Sequence, residues 1–232
     1  MKDKNGVRWI RLENVESTQN YVKNIAEDGD YIVFARRQTA GKGTKGRSFV
    51  SLDGGVYLSL LRRFENFPAK DAFKVMASAS TAVCKSLVAL GLKPCIKWPN
   101  DVHVNGKKIC GILIENTFSG ANISRSIIGV GLNVNNALTE ELKEIATSVA
   151  LETGKTADVD TVAQTLVDNM YAPFTMDEYL SFVGYMGGFA DLIIGDKRVH
   201  GRLIRVDETG GLVCEIDGKE SRFTALEISV RV

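Results

Sequence analysis

The chain has 232 residues, and its 29 Lys and Arg against 28 Asp and Glu leave a net charge of +1. That excludes a general nucleic-acid coat, which needs a strong basic excess. With 44% apolar and 25% charged residues, the composition is that of an ordinary globular chain, long enough for one medium domain and a small appendage. No window of 18 apolar residues is read in it, and the start M-K-D-K-N-G has no apolar signal core, so a cytoplasmic protein without a membrane anchor is expected.

In chain order, Val7–Val15 alternates as a strand, and Ser17 then caps a helix running to about Glu27, stopped by Asp28-Gly29. Tyr31–Arg37 is β-branched and aromatic and reads as a second strand. It leads into Gly41-Lys-Gly-Thr-Lys-Gly-Arg47. Glycines let backbone N–H groups approach a ligand closely, and Lys42, Lys45 and Arg47 supply charge for an anion, so this loop is read as phosphate-binding. It is read neither as a Walker A loop nor as a dinucleotide fingerprint.

Asp53-Gly54-Gly55 turns the chain into a strand over Val56–Arg62. From about Ala69 to Leu90 the apolar residues Phe73, Met76, Val83 and Leu87 recur at helical spacing, and Gly91 stops the helix, a core-packing element. Lys97-Trp-Pro-Asn-Asp101 must be irregular, because a residue before proline is pushed out of the helical region. Val102–Val104 and Lys108–Glu115 flank Asn105-Gly106, a two-residue hairpin signal that returns Lys107 and Lys108 towards Asp101. Adjacent strand residues face opposite ways, so Lys107 is the solvated one of the pair.

Ile127–Val134 is a further strand, interrupted by Gly129 and Gly131, which mark a bulge or close approach of a ligand. Helices are expected over Thr139–Val149 and Val159–Tyr179. Phe182–Phe189, with three glycines, reads as a linker. Beyond it Leu192–Ile194, Val199–Val206, Leu212–Ile216 and Ser221–Ala225 are short strands of a small antiparallel barrel of SH3-like type. The domain bounds are therefore 1–183 and 190–232. Cys84, Cys95, Cys110 and Cys214 are widely spaced and read as buried thiols rather than disulfides. With His103 and His200 alone available, no zinc-ligand spacing exists, and His103 is placed on a strand surface.

Five segments together resemble the biotin–protein ligases: Ser17-Thr18, Gln38 leading into G-K-G-T-K-G-R, K-W-P-N-D at 97–101, K-K-I-C-G-I-L-I-E at 107–115, and G-V-G-L-N-V-N at 129–135. They occur in the family's order. The resemblance implies an α+β fold, a mixed sheet packed with helices as in class II aminoacyl-tRNA synthetases, followed by the SH3-like barrel. It implies that biotin and MgATP give biotinyl-5′-adenylate and pyrophosphate, after which biotin passes to a lysine of a biotin carboxyl carrier protein. Mg2+ comes with ATP, and no metal site of the protein's own is implied.

Lys108 matches the family's lysine at the biotin acyl and α-phosphate oxygens, and with Arg47 it is the implied catalytic pair. Ser17, Thr18 and Gln38, with the backbone of Gly41, Gly111 and Ile112, match binders of the biotin ureido ring or its adenylate. Lys42 falls on the phosphates, Trp98 and Asn100 line the site, and Asn133 contacts the ribose or phosphates. Asp101 orients the adenylate or the carrier lysine. The family's loop usually reads G-R-G-R-x-G-R, so Lys42 keeps a charge that Thr44 loses. Some members carry an N-terminal DNA-binding domain; this chain resembles the enzyme-only class, without DNA, and a homodimer is compatible with it. The rival readings are a lipoate or octanoate ligase and a non-catalytic biotin-binding regulator.

Overall fold

A computed structural model describes residues 3–231, apart from the side chain of Lys45. Its larger sheet contains β1 (Arg8–Val15), β2 (Tyr31–Gln38), β3 (Val56–Pro68), β4 (Cys95–Lys97), β5 (Asp101–Val104), β6 (Lys107–Ser119) and β7 (Asn122–Leu132). Their spatial order is β1-β2-β3-β7-β6-β5-β4. β1 and β2 are parallel, which requires a crossover, and α1 (Thr18–Lys23) supplies it. The other neighbours are antiparallel.

Alternation along the strands sorts the residues by face. Leu58 and Leu60 join Ile112, Ile128, Val130 and Leu132 in the main core. That face is covered by α2 (Ala72–Ala89), through Val75, Ala79, Val83 and Leu87, and by α5 (Val159–Tyr171), through Val162, Leu166 and Met170. The helical stretch Ala69–Ala89 is on average long and apolar enough to cross a membrane, although Lys74 and Lys85 interrupt it, and more than half of its apolar window is buried inside the molecule. On the opposite face α1 covers one end of the sheet, packing Val22 on Tyr31, Val33, Leu61 and Ile127. Past α1 the same face continues as two cross-strand rows, Ser59–Gly129–Leu113 and Tyr57–Gly131–Gly111–Asp101. Glycine at three of these positions leaves a shallow trough.

The first helix ends at Lys23, earlier than Glu27, although Ser17 caps it as expected. The helix expected over 139–149 is broken into α3 (Glu140–Lys143) and α4 (Val149–Thr153), because Ala146 between them bridges Lys108 as a short strand. Similarly α5 stops at Tyr171, since Pro173 cannot continue it, and α6 (Met176–Phe182) restarts from a capping box of Thr175 and Glu178. The stretch read as a linker is tied to the large sheet: Val183 bridges Ile96, and Gly184 N–H donates to the Ile96 carbonyl. His103, expected on a surface, is 6% exposed, because Tyr185 of this stretch lies over it with its hydroxyl 3.0 Å from Nδ1.

The smaller sheet is wholly antiparallel in the order β11-β10-β9-β8-β12, from β8 (Phe189–Ile194), β9 (Lys197–Val206), β10 (Leu212–Ile216), β11 (Lys219–Phe223) and β12 (Ile228–Arg231). β12 was not foreseen. Leu192, Leu203 and Leu212 belong to the same core cluster as the large sheet, so the two units share apolar packing. Cys84, Cys110 and Cys214 are buried free thiols, and Cys95 is partly buried.

Candidate active site

A backbone irregularity decides which way Lys108 points. Asp101 pairs with Gly111 and Val102 with Cys110, but His103 pairs with Lys108, so Ile109 is the extra residue of a β-bulge. Without it, residues 108 and 111 would lie on opposite faces. With it, a Cβ built on Gly111 would come within 3.1 Å of Lys108 Cε and Nζ. Lys108 Nζ then reaches Asp101 Oδ1 at 2.6 Å. Its backbone is clamped as well, donating to Ile145 O and accepting from Thr147 N–H. Lys107 points away, to the Lys143 carbonyl.

Further cations gather here. Lys97 pairs with Asp101 across β4 and β5, and burial, opposed by Asp101 and reinforced by Lys108 and Arg47, holds its ammonium below the usual pKa. The basic loop folds back on itself: Lys42 bridges Ser48, Gly43 N–H donates to Arg47 O, and Phe49 N–H donates to Gly41 O. Arg47 is occupied within the loop, its Nε donating to Thr44 O and its Nη2 to Thr44 Oγ1. Lys42 Nζ donates to Asn20 Oδ1. The Gly41, Gly43, Gly46 spacing does fit G-x-G-x-x-G, but the loop joins antiparallel β2 and β3 with no following α-helix, so the dinucleotide context is missing. Any Cβ at Gly41 would meet Phe49 O at 2.4 Å, so only glycine fits.

Phe49 fills the trough. Its ring lies where a Cβ on Gly131 would be 2.5 Å away and one on Gly111 3.2 Å away, with Lys108 Nζ 6.0 Å from its centre. Cavities of about 320 and 380 Å³ lie elsewhere, one beside Lys107 and Glu152, the other between Phe73 and Arg222. A ligand over the glycines must therefore displace Phe49.

Beside this trough runs a buried polar chain. Gln38 Oε1 accepts from Thr18 N–H at 2.8 Å and lies 3.0 Å from Thr18 Oγ1, whose one proton goes either to it or to Ser59, while Gln38 Nε2 donates to Ser51 Oγ at 2.8 Å. Thr18 Oγ1 is 2.9 Å from Ser59 Oγ. Ser17 Oγ, 1% exposed as a residue, accepts from Asn20 N–H. Buried hydroxyls and amides in this arrangement can match a polar, uncharged group such as a cyclic urea.

Lys108, Asp101, Gly111, Arg47 and Lys42 surround the trough, with Ser17, Thr18 and Gln38 at its α1 end. Four expected residues do not present free groups to it. Asn133 is consumed in the core, its amide donating to Thr147 O and accepting from Asn136 Nδ2. Asn100 Nδ2 donates to Ile112 O, which locks the cis Trp98-Pro99 turn to β6. The Ile112 backbone is taken up by Asn100, its N–H donating to Asn100 O and its carbonyl accepting from Asn100 Nδ2, and its side chain faces the main core. Trp98 is 4% exposed, and its indole N–H donates to Gly210 O at the junction with the small sheet. Gln19, Ser59, Glu115 and Phe49 were missed. The Ser-Thr-Gln run at α1 was the available signal for Gln19; the others sit on strands whose neighbours no local pattern reveals.

Residues 12–133 match the model of the biotin/lipoate A/B protein ligase family. The bifunctional ligase/repressor BirA of Bacillus subtilis is 36% identical over 161 residues, 66% of this chain and 49% of that protein. The chain thus spans about half the length of that relative. BirA of Escherichia coli K12 is 32% identical over 236 residues, covering 95% of this chain and 73% of that protein. A biotin protein ligase from Aquifex aeolicus, solved in complex with biotin and ATP, superposes with a TM-score of 0.80 and 27% identity, over 97% of this chain and 98% of that one. With the trough, its cations and its polar chain lying on strands that this match spans, the chain belongs to the biotin/lipoate A/B protein ligase family.

Proposed function

We propose that the chain is a biotin–[acetyl-CoA-carboxylase] ligase: it joins biotin and MgATP to biotinyl-5′-adenylate, releasing pyrophosphate, and passes the biotinyl group to one lysine of a biotin carboxyl carrier protein. The observation that carries this reading is Lys108, turned by the bulge onto the trough and held 2.6 Å from Asp101. In the first step the biotin carboxylate oxygen attacks the α-phosphorus, and the bond to pyrophosphate breaks. Both reactants are anions, so a preorganised cation is most valuable where charge builds. Lys108 supplies it, with Lys97, Lys42 and Arg47 around the phosphates. In the second step the carrier amine attacks the acyl carbon, AMP leaves and the amine loses one proton; Asp101 is placed to orient the adenylate or that amine.

Ser17, Thr18 and Gln38 take the ureido ring, and Gly41 and Gly111 allow backbone approach. Trp98, Asn100, Ile112 and Asn133 act from behind the site, holding its walls. Mg2+ is assigned to the phosphates of ATP, where a divalent cation offsets their charge. The small sheet is assigned as an SH3-like barrel over 190–232, beside a catalytic domain over 1–183, and the protein as a cytoplasmic enzyme that acts without DNA; a homodimer is compatible with this. Pyrophosphate release from ATP tests the activity. It is expected only with biotin present; release with lipoate or octanoate instead, or none with any acid, overturns the reading.

A further inference from the structure

Glu115 lies at the end of the polar chain and touches none of the groups assigned to the ligand. Lys23 Nζ donates to its Oε1 at 2.8 Å, and Gln19 Nε2 donates to its Oε2 at 2.9 Å. The Lys23 and Gln19 contacts overcome the desolvation that opposes them and hold the carboxyl below its usual pKa, so it is an acceptor at neutral pH.

We infer that Glu115 is a positioning residue that sets the direction of the hydrogen bonds running through Gln19 and Ser59 to Thr18, and so makes the site select a ligand that offers a ring N–H. The inference rests on the reading above that a cyclic urea sits against Thr18 and Gln38. A carboxylate can only accept, so the Gln19 amide turns its NH2 to Glu115 at 2.9 Å, with Ile127 O as a second, longer acceptor at 3.4 Å, and its oxygen inward. That oxygen accepts from Ser59 Oγ at 3.1 Å and lies close over Gly129, where a Cβ would come within 2.5 Å of it. Ser59 has one proton, and it is spent on Gln19. Thr18 must then donate across the 2.9 Å contact to Ser59.

Two acceptors are left facing the trough: a lone pair on Thr18 Oγ1, and Gln38 Oε1, which takes only the Thr18 backbone N–H. Turning Gln19 over reverses everything. Its NH2 would donate to Ser59, Ser59 would donate to Thr18, and Thr18 would donate to Gln38 at 3.0 Å, so both acceptors would be blocked. Gln19, Ser59 and Thr18 are at most 3% exposed, so bulk water does not repair the mismatch.

The test measures dissociation constants by calorimetry for biotin and for its two cyclic carbamate analogues, in which oxygen replaces one ring N–H. The proteins are the wild type, Glu115→Met, Glu115→Gln and Lys23→Met. The wild type should prefer biotin over at least one carbamate by about a hundredfold, the scale for a buried acceptor left unpaired. Glu115→Met should cut that preference by about tenfold, with kcat at saturating biotin within about threefold of wild type. Glu115→Gln, which keeps an acceptor, should fall between. Lys23→Met, which removes the ion pair but leaves the carboxylate, should retain the preference; Glu115→Gln keeps the test decisive if Glu115→Met does not fold. An equal loss of biotin and carbamate binding in the Glu115 variants, an unchanged preference, or a preference that falls with Lys23→Met overturns the inference. A wild type that binds no biotin overturns the functional reading itself, and is told apart by that.

Discussion

Lys108 and Asp101 form an ion pair of 2.6 Å at the end of the row Tyr57–Gly131–Gly111–Asp101, with side chains 34% and 18% exposed. A pair this open contributes on the order of 0–1 kcal/mol to stability. Its use is therefore electrostatic and local: an entering anion competes with Asp101 for an ammonium that the bulge already aims at the trough.

Lys108→Ala should lower kcat for adenylation by about a hundredfold or more, the scale for losing a preorganised charge-stabilising group. Biotin affinity should change by less than about fivefold, because the charge acts mainly on the transition state. Single-turnover adenylate formation and biotin calorimetry measure the two. Comparable rates in the variant would remove Lys108 from the mechanism.

The loop over 39–50 should gain protection when biotin and ATP bind. It is already pinned by Gly43 and Phe49 N–H bonds, but Lys42 and Arg47 are neutralised by no acid within it, and Phe49 must leave the trough. An anionic ligand supplies the missing partners. Hydrogen exchange with and without the two substrates should show slower exchange across this loop in their presence. Equal exchange in both states would mean that the ligand enters without reorganising it.

The readable parts of this protein were those whose cause is local. Asn105-Gly106 makes a hairpin because both residues take positive φ, 49° and 80°, and Ser17 caps α1 because its oxygen meets the Asn20 N–H. The family's five segments carried Lys108, Asp101, Thr18 and Gln38 to one face. What failed depended on partners distant in sequence. Residues around Ala146 look helical, but their backbone bonds go to Lys108. Pro173 was a local stop signal that the long apolar period over 159–179 overrode in the reading. Gln19, Ser59 and Glu115 meet across three elements, and the bulge at Ile109 leaves no mark in composition.

His103 should make the fold acid-sensitive. Burial first, and then Lys97, push its pKa down to about 4, from about 6.5 when unfolded. Above that unfolded value the ring is neutral in both states, and its contribution is fully present. As pH falls from about 6.5 towards 4, the unfolded chain takes up the proton first, so stability is lost, by up to about 3 kcal/mol. Urea unfolding at pH 7 and pH 4.5 should show a larger loss in the wild type than in His103→Gln. Parallel losses in the two proteins would place the acid sensitivity elsewhere.

Thr44 should make the adenylate short-lived on the enzyme. Its hydroxyl and carbonyl hold the Arg47 guanidinium, so a charge that could face a phosphate is turned into the loop. Thr44→Arg adds a cation where the family usually has one and removes the hydroxyl that Arg47 Nη2 uses, which frees Arg47 towards the ligand. Both changes add charge-assisted contacts, the stronger kind of hydrogen bond. Such contacts act chiefly on dissociation, since related complexes differ mostly in how fast they separate. The variant should release biotinyl-adenylate about tenfold more slowly, one good contact's worth, and label bystander lysines less. The off-rates of the two proteins are compared in one buffer, because salt screens exposed charges. An unchanged or faster off-rate in Thr44→Arg would mean that Lys42 and Arg47 already hold the adenylate without help from position 44.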